Sequence, residues 1–216
     1  MCLTAGTGLV DAVCYLGMGH VLVANMTGNV VFLGFALAGA KGFSIASFLV
    51  AIAAFLAGAA TGGRLSVELG QTRRRWLVAA SGLEAALVAA AAIATAAGAL
   101  GPTGAARFGV IALLGAGTGL QNATVRRLAI ADLTTTVLTL TITGLAADSS
   151  LGGGNNPRAG RRLVSVTAML VGGLAGGLLM LNEGFTTTLW VLAGLFAVVA
   201  AGFAAFAEDP APEAAG

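Results

Sequence analysis

Two short polar stretches interrupt long apolar runs of this chain, and their residue types suit the binding of a polar ligand. The first is "NMTGN" at residues 25–29, and the second is "TTT" at residues 134–136. Asn and Thr oxygens accept hydrogen bonds from the free N–H groups at a helix start, and Gly lets the backbone turn. We predict that Asn25 or Thr27 caps a short helix inside the membrane, and that a Thr caps a second one. The predicted solute-binding residues are Asn25, Thr27, Gly28, Asn29, Thr134, Thr135 and Thr136.

Two carboxylates also lie within segments that are otherwise apolar, Asp11 and Glu84. Placing a charged carboxylate in lipid costs several kcal/mol of free energy, so an acidic residue in such a segment indicates a functional role. The chain contains an internal repeat, described below, in which the position of Asp11 is occupied by the neutral Asn122, which follows Gln121. We predict coupling or gating roles for these four residues, and a hydrogen bond or salt bridge between helices is the alternative for the acids.

The composition places the chain in a membrane. It has 57% hydrophobic and 9% charged residues, whereas a soluble domain has about 25% charged residues. Four uncharged runs, 85–106, 108–125, 163–182 and 184–207, have lengths close to the roughly 20 residues that cross a bilayer as a helix. The lipid bilayer is therefore the predicted surrounding. Nucleic acid is not a predicted partner, because no basic run is interleaved with aromatic residues.

The chain also repeats itself. The motif "AGTGL" at residues 5–9 recurs at residues 116–120, an offset of 111. A duplication predicts two membrane repeats, 1–99 and 104–206, which form one membrane domain, and a short disordered acidic tail at 207–216. Further pairs that match in the same order are Asp11 with Asn122, "NMTGN" with "TTT", Gly58 and Gly62 with Gly173 and Gly177, and Trp76 with Trp190.

Charge placement predicts how the segments cross. The expected segments are 2–18, 21–39, 43–62, 76–98, 107–125, 132–147, 163–181 and 185–206. If all eight cross, the basic residues divide six against five; if the two polar segments return to the side they came from, they divide nine against two. The second division follows the positive-inside rule. We therefore predict an all-α polytopic membrane protein, an inverted 3+3 repeat of six transmembrane helices plus two re-entrant half-helices, with both termini cytoplasmic.

In this arrangement the two half-helices point their N-termini at each other near the middle of the membrane. Helix N-termini carry partial positive charge and free N–H donors, which suit an anion or a solute rich in acceptors. The sequence thus predicts a small secondary transporter or channel for a small anion or polar solute. The alternative is a non-transporting scaffold or accessory subunit, in which Thr and Asn only join helices. The glycine pairs are predicted helix-packing faces, and a homodimer would fit them.

No enzyme, cofactor or metal site is predicted. The chain has no His-Glu-x-x-His, no Gly-x-Ser-x-Gly and no glycine-rich phosphate loop with Lys. Its single His has no cluster of Cys or Asp beside it, as a metal site would need.

The longest motifs resemble a known family. They are "TGLVDAVCYLGMG" at 7–19 with "VANMTGN" at 23–29, and "GLQNATVRRL" at 119–128 with "DLTTTVLTLTITGLAAD" at 132–148. This sequence resembles the YoaK family of bacterial inner-membrane proteins, which carry a domain of unknown function, and the resemblance covers nearly the whole chain. It implies a multi-pass protein of the bacterial inner membrane, and it implies no substrate or reaction.

Overall fold

A computed structural model describes residues 2–128, 138–156 and 158–206, and this part of the chain contains eight α-helices, one short 3-10 turn and no β-strand. The helices are α1 (Cys2–Gly17), α2 (Met26–Leu37), α3 (Ile45–Glu68), α4 (Arg73–Ala96), α5 (Ala106–Arg127), α6 (Leu138–Ala147), α7 (Ala159–Asn182) and α8 (Phe185–Phe206). Five of them, α3, α4, α5, α7 and α8, are long and apolar enough to cross a membrane, and the other three are shorter and apolar. The predicted all-α membrane class is confirmed.

Four of the five long helices are longer than the segments predicted for them, and α8 has the predicted bounds, 185–206. Helix α3 continues to Glu68 instead of ending at residue 62, and α4 begins at Arg73 instead of residue 76. Arginine makes this extension favourable, because its long stem covers apolar surface while the guanidinium reaches water. At the start of α3, the Ser44 hydroxyl oxygen accepts a hydrogen bond from the Ser47 N–H at 3.3 Å, as a capping residue does.

Two helix pairs cross at glycines in the same way. Helix α3 packs against α5, and α1 packs against α7. A Cβ atom on Gly58 would overlap the carbonyl oxygen of Ala116, and one on Gly172 would overlap the carbonyl oxygen of Ala5. The two alanines belong to the repeated "AGTGL" motif. Both crossings therefore require glycine, because only a residue without a side chain lets the two backbones come so close.

The same equivalence holds one turn further along each pair. A Cβ on Gly62 would lie 2.9 Å from the Leu120 carbonyl oxygen, and one on Gly176 would lie 2.9 Å from the Leu9 carbonyl oxygen. In α1 and α5 the matched residues differ by 111 in number, and in α3 and α7 they differ by 114. Both contacts between the repeats therefore use equivalent positions: α3 of the first repeat packs against α5 of the second, and α1 of the first packs against α7 of the second.

These contacts correct the predicted packing face of α7, which was wrong by one residue. The crossing uses Gly172 and Gly176, while a Cβ on the predicted Gly173 would lie 4.0 Å from the Gly8 carbonyl oxygen, an ordinary contact. The sequence "GGLAGG" at 172–177 offers both pairs, and one residue turns a helix face by about 100°. These glycines pack against other helices of the same chain, so they do not support the predicted homodimer. The homodimer stays a prediction.

The segment that contains α2 starts and ends at the same end of the helix bundle. The rings of His20 and Phe43, one before α2 and one after it, lie 5.6 Å apart. At this end Arg107 donates a hydrogen bond from Nη2 to the Ser44 hydroxyl at 3.2 Å, which brings the starts of α3 and α5 together. Helix α2 has 12 residues, or about 18 Å at 1.5 Å per residue. It is half as long as its 24-residue neighbour α3.

At the opposite end of the bundle, α3 and α5 finish and α4 begins. One groove there is lined by Ser66, Arg73 and Arg127, which belong to these three helices. Arg74 donates a hydrogen bond from Nη2 to the Ala204 carbonyl at 2.7 Å, so α8 also ends at this side. The arginines of these helix ends therefore gather on one side, away from Lys41 and Arg107.

Candidate functional site

The non-helical segment 21–25, which leads into α2, is held between α1 and α5 by buried side chains. The backbone N–H of Ala24 donates to Oδ1 of Asp11 at 2.9 Å, and the Thr118 hydroxyl donates to the Val23 carbonyl at 2.6 Å. Asp11 is 7% exposed and Thr118 is 3% exposed. Backbone outside a helix needs such partners when it is buried, because it lacks the hydrogen bonds of the helix.

Asn29, in the first turn of α2, also bonds to this segment. Its Oδ1 accepts from the Leu22 N–H at 2.9 Å, and its Nδ2 donates to the Leu22 carbonyl oxygen. One amide thus satisfies both backbone groups of Leu22, and Asn29 is fully buried. A Cβ on Gly28 would lie 2.7 Å from Cδ1 of Leu22, so glycine lets the Leu22 side chain pack against the first turn of α2.

The first turn of α2 is open at its start. Asn25 occupies the N-cap position with φ −114°, but its side chain makes no capping hydrogen bond, and Thr27 lies inside α2, so the prediction that Asn25 or Thr27 caps the helix is wrong. Asn25 and Thr27 are both exposed on the chain. The first N–H groups of a helix have no carbonyl partner within it. The start of α2 therefore offers backbone donors next to two exposed polar side chains.

The corresponding region of the second half is described only from Leu138 onward. The predicted site residues Thr134, Thr135 and Thr136 lie outside the described residues, and their role stays a prediction. Within α6, Thr141 is 2% exposed. At the end of α6, Arg162 donates from Nη1 to the Gly144 carbonyl at 2.7 Å.

Asn122 and Gln121 lie side by side on α5 but form different contacts. Asn122 donates from Nδ2 to the Thr118 carbonyl at 2.9 Å. Gln121 donates from Nε2 to the Thr7 hydroxyl at 3.3 Å and, more weakly, to the Leu3 carbonyl at 3.4 Å. Gln121 therefore joins α5 to α1.

The predicted residues thus form two groups. Asp11 and Asn29 share the segment before α2, whereas Glu84 and Gln121 line one small cavity between the long helices. Thr118 belongs to the first group and was not predicted, although the repeated motif "AGTGL" places a Thr there and at Thr7. Among the residues that the structure describes, no three His, Cys, Asp or Glu side chains come together as a metal site.

Comparison with known proteins places the chain in a family. No solved structure matches it. It is 33% identical over 153 residues to UPF0700 transmembrane protein YoaK of Bacillus subtilis (strain 168). This alignment covers 69% of this chain and 64% of that relative. The matched stretch is thus less than two thirds of the relative's length. The family described as "Protein of unknown function (DUF1275)" matches residues 1–202, and we conclude that the chain belongs to the DUF1275 family.

Proposed function

We propose that this chain is a small secondary transporter or channel that moves a small anion or polar solute past the starts of α2 and α6. One observation carries the proposal. A half-length helix, α2, begins beside a buried non-helical segment, and its uncapped first turn lies next to the exposed Asn25 and Thr27. In a membrane, non-helical backbone is tolerated where protein covers it or where it lines a water-filled cavity.

The proposed topology is an inverted repeat in the bacterial inner membrane. Helices α1, α3, α4, α5, α7 and α8 cross, while α2 and α6 enter and return on opposite sides. The equivalent glycine crossings and the neighbouring ends of the α2 segment support it. The arginine-rich end and both termini are cytoplasmic in this topology, since basic residues favour that side.

Asp11 gives this site a means of coupling. Its carboxyl accepts from Ala24, two residues before α2 begins, at the positive end of the helix dipole. A charged carboxylate there repels an anionic solute, whereas a protonated one does not. Transport would then load a proton on Asp11 together with the solute and release both on the other side.

The test combines solute identification with a pH gradient. A panel of small anions and neutral polar compounds is screened by thermal shift of the purified protein, and compounds that bind are assayed for uptake into proteoliposomes. We expect uptake to follow an imposed pH gradient, and Asp11→Asn to remove that dependence while the protein stays folded. Asp148→Asn, on a half-exposed carboxylate, is the control and should keep the dependence. Unchanged gradient dependence in Asp11→Asn contradicts the coupling role, and binding without uptake of any compound contradicts transport.

The second candidate is a membrane scaffold or accessory subunit without a transport path. It is favoured by one feature of the site: Asp11, Asn29 and Thr118 all bond to the protein's own backbone. Such bonds are what side chains provide when they only fix helices and loops in place. A dry, closed surrounding of Thr27 would support this candidate against the first.

A further inference from the structure

The groove at the arginine-rich end of the bundle, where α3 and α5 end and α4 begins, is wide and polar. It measures about 680 Å³, and binding sites for small ligands measure about 300 to 1,000 Å³. Most of its exposed wall is polar, and the lining includes Ser66, Gln71, Arg73, Trp76 and Arg127. The groove is therefore large enough and polar enough for a charged ligand.

Two arginines give this groove its charge. Arg73 is the first residue of α4 and Arg127 is the last residue of α5, and both are exposed. Neither has a carboxylate partner among the described residues. No residue described as lining the groove is acidic, and Glu68, on the exposed end of α3, does not line it. The two guanidinium groups are thus available to an anion.

The helix ends around the groove do not cancel this charge. A helix end carries about half an elementary charge, which is positive at the N-terminus and negative at the C-terminus. The groove lies at the negative ends of α3 and α5 and at the positive end of α4, so the two full guanidinium charges outweigh the helix ends. The first N–H groups of α4 have no carbonyl partner within the helix, and the side chain of its N-cap residue, Thr72, makes no capping hydrogen bond.

Trp76 relates the groove to the membrane surface. It lies one turn into α4, is 5% exposed, and its indole Nε1 has no hydrogen-bond partner among the described residues, although a buried indole N–H usually has one. Tryptophan rings are common at the level of the lipid headgroups. Helices α3, α4 and α5 are all long and apolar enough to cross a membrane, so their ends place the groove at that level.

We propose that this groove binds a phosphate group, held by the guanidinium groups of Arg73 and Arg127 beside the first N–H groups of α4. Arginine suits phosphate because its planar group donates two parallel hydrogen bonds to two oxygens. The headgroup of an anionic phospholipid and a soluble phosphate ester share this chemistry. The position of the groove favours the lipid, because basic pockets between membrane helices bind anionic headgroups. The site goes beyond the proposed transport function and can be tested without any solute.

The test uses Trp76 as a reporter in the groove wall. The chain has two tryptophans, so Trp190→Phe leaves Trp76 alone. This full chain is purified and titrated in mixed micelles with phosphatidylglycerol whose acyl chains carry bromine, which quenches tryptophan fluorescence at short range. Brominated phosphatidylcholine, whose headgroup has no net charge, is titrated in parallel. We expect saturable quenching at a lower fraction of phosphatidylglycerol than of phosphatidylcholine.

A matched pair of double variants separates the groove from the general positive charge of this end. Arg73→Gln with Arg127→Gln should raise the phosphatidylglycerol fraction at half-quenching by about tenfold or more, since each arginine near the surface adds to the binding of anionic lipid. Arg75→Gln with Arg126→Gln removes the same charge from the same two helices, at exposed positions that do not line the groove. This control should raise the fraction by about twofold or less.

All four arginines are exposed, so both double variants should stay folded, and thermal unfolding checks this. The single variants Arg73→Gln and Arg127→Gln repeat the comparison with half the change in charge. The proposal is overturned if the groove variant and its control shift the quenching equally, or if phosphatidylcholine quenches as strongly as phosphatidylglycerol.

Glycerol phosphate, added at constant ionic strength to the chain quenched by brominated phosphatidylglycerol, identifies the source of the phosphate group. Recovery of the Trp76 fluorescence shows that a soluble phosphate ester occupies the groove, and continued quenching shows that the lipid does. Both results support the phosphate site. Failure of the proposed transport function would change neither result, because no step of the test involves transport.

Discussion

The described polar contacts of the two half-length helices lie at different ends of the helices. Helix α2 is fixed at its start, where Asn29 bonds to both backbone groups of Leu22 and is fully buried. Helix α6 is fixed at its end, where Arg162 reaches the Gly144 carbonyl and forms a 2.7 Å ion pair with Asp148, whose side chain is 51% exposed. The helices around them meet at equivalent glycines.

Among the described residues, the glycine crossings are duplicated between the halves, whereas the polar contacts described for α2 and α6 come from different positions. Buried hydrogen bonds to a non-helical backbone are expensive to lose, because the partner groups remain without water. The Arg162 side chain is 12% exposed and that of Asp148 51%, and an ion pair that reaches water is worth about 0 to 1 kcal/mol. We therefore expect the described contact at the start of α2 to contribute more than this ion pair does. Asp11 and Glu84 also belong to the first half.

The largest expected effect tests the shared scaffold. Gly58→Ala and Gly172→Ala should each lower the free energy of unfolding by about 3 kcal/mol or more, because the new Cβ overlaps a carbonyl oxygen of the facing helix. Thermal unfolding of the purified variants measures the effect. Gly173→Ala is the neighbouring control and should change stability by about 0.5 kcal/mol or less. If Gly58→Ala is severe while Gly172→Ala is mild, the two crossings are not equivalent.

A smaller effect separates the two half-helices. Asn29→Ala leaves the N–H and the carbonyl of Leu22 without partners and should cost about 2 to 3 kcal/mol. Arg162→Ala removes the hydrogen bond to the Gly144 carbonyl and an ion pair whose carboxylate is half exposed, and it should cost about 1 to 2 kcal/mol, less at high salt. Both values come from unfolding of the purified chain at low and high salt. An equal cost for the two variants would contradict a larger contribution from the contact at the start of α2.

Much of the fold follows from the sequence for simple reasons. Apolar run length predicts the long helices, and the polar cluster "NMTGN" predicts that a short helix begins beside it, as α2 does at Met26. The contacts of these residues are set by packing between distant parts of the chain. Thr118 bonds to Val23, 95 residues away, and no local pattern specifies that pair.

Two details illustrate what the sequence leaves open. The glycine register of α7 depends on which side of the helix faces α1, and "GGLAGG" permits two answers. The cavity at Glu84 combines residues of four helices, so predicting Glu84 and Gln121 separately as coupling residues did not reveal that they share one space.

The most direct test of the account asks whether water reaches the start of α2. In a chain with Cys2→Ser and Cys14→Ala, a cysteine at Thr27 is treated with a membrane-impermeant thiosulfonate in proteoliposomes and compared with Leu170→Cys. Leu170 lies near the middle of α7 and is 69% exposed on the chain, so it reports the labelling of a cysteine that faces lipid. We expect Thr27→Cys to react and Leu170→Cys to remain unlabelled. If Thr27→Cys reacts no more than Leu170→Cys, no water path reaches the proposed site, and the transport function is contradicted.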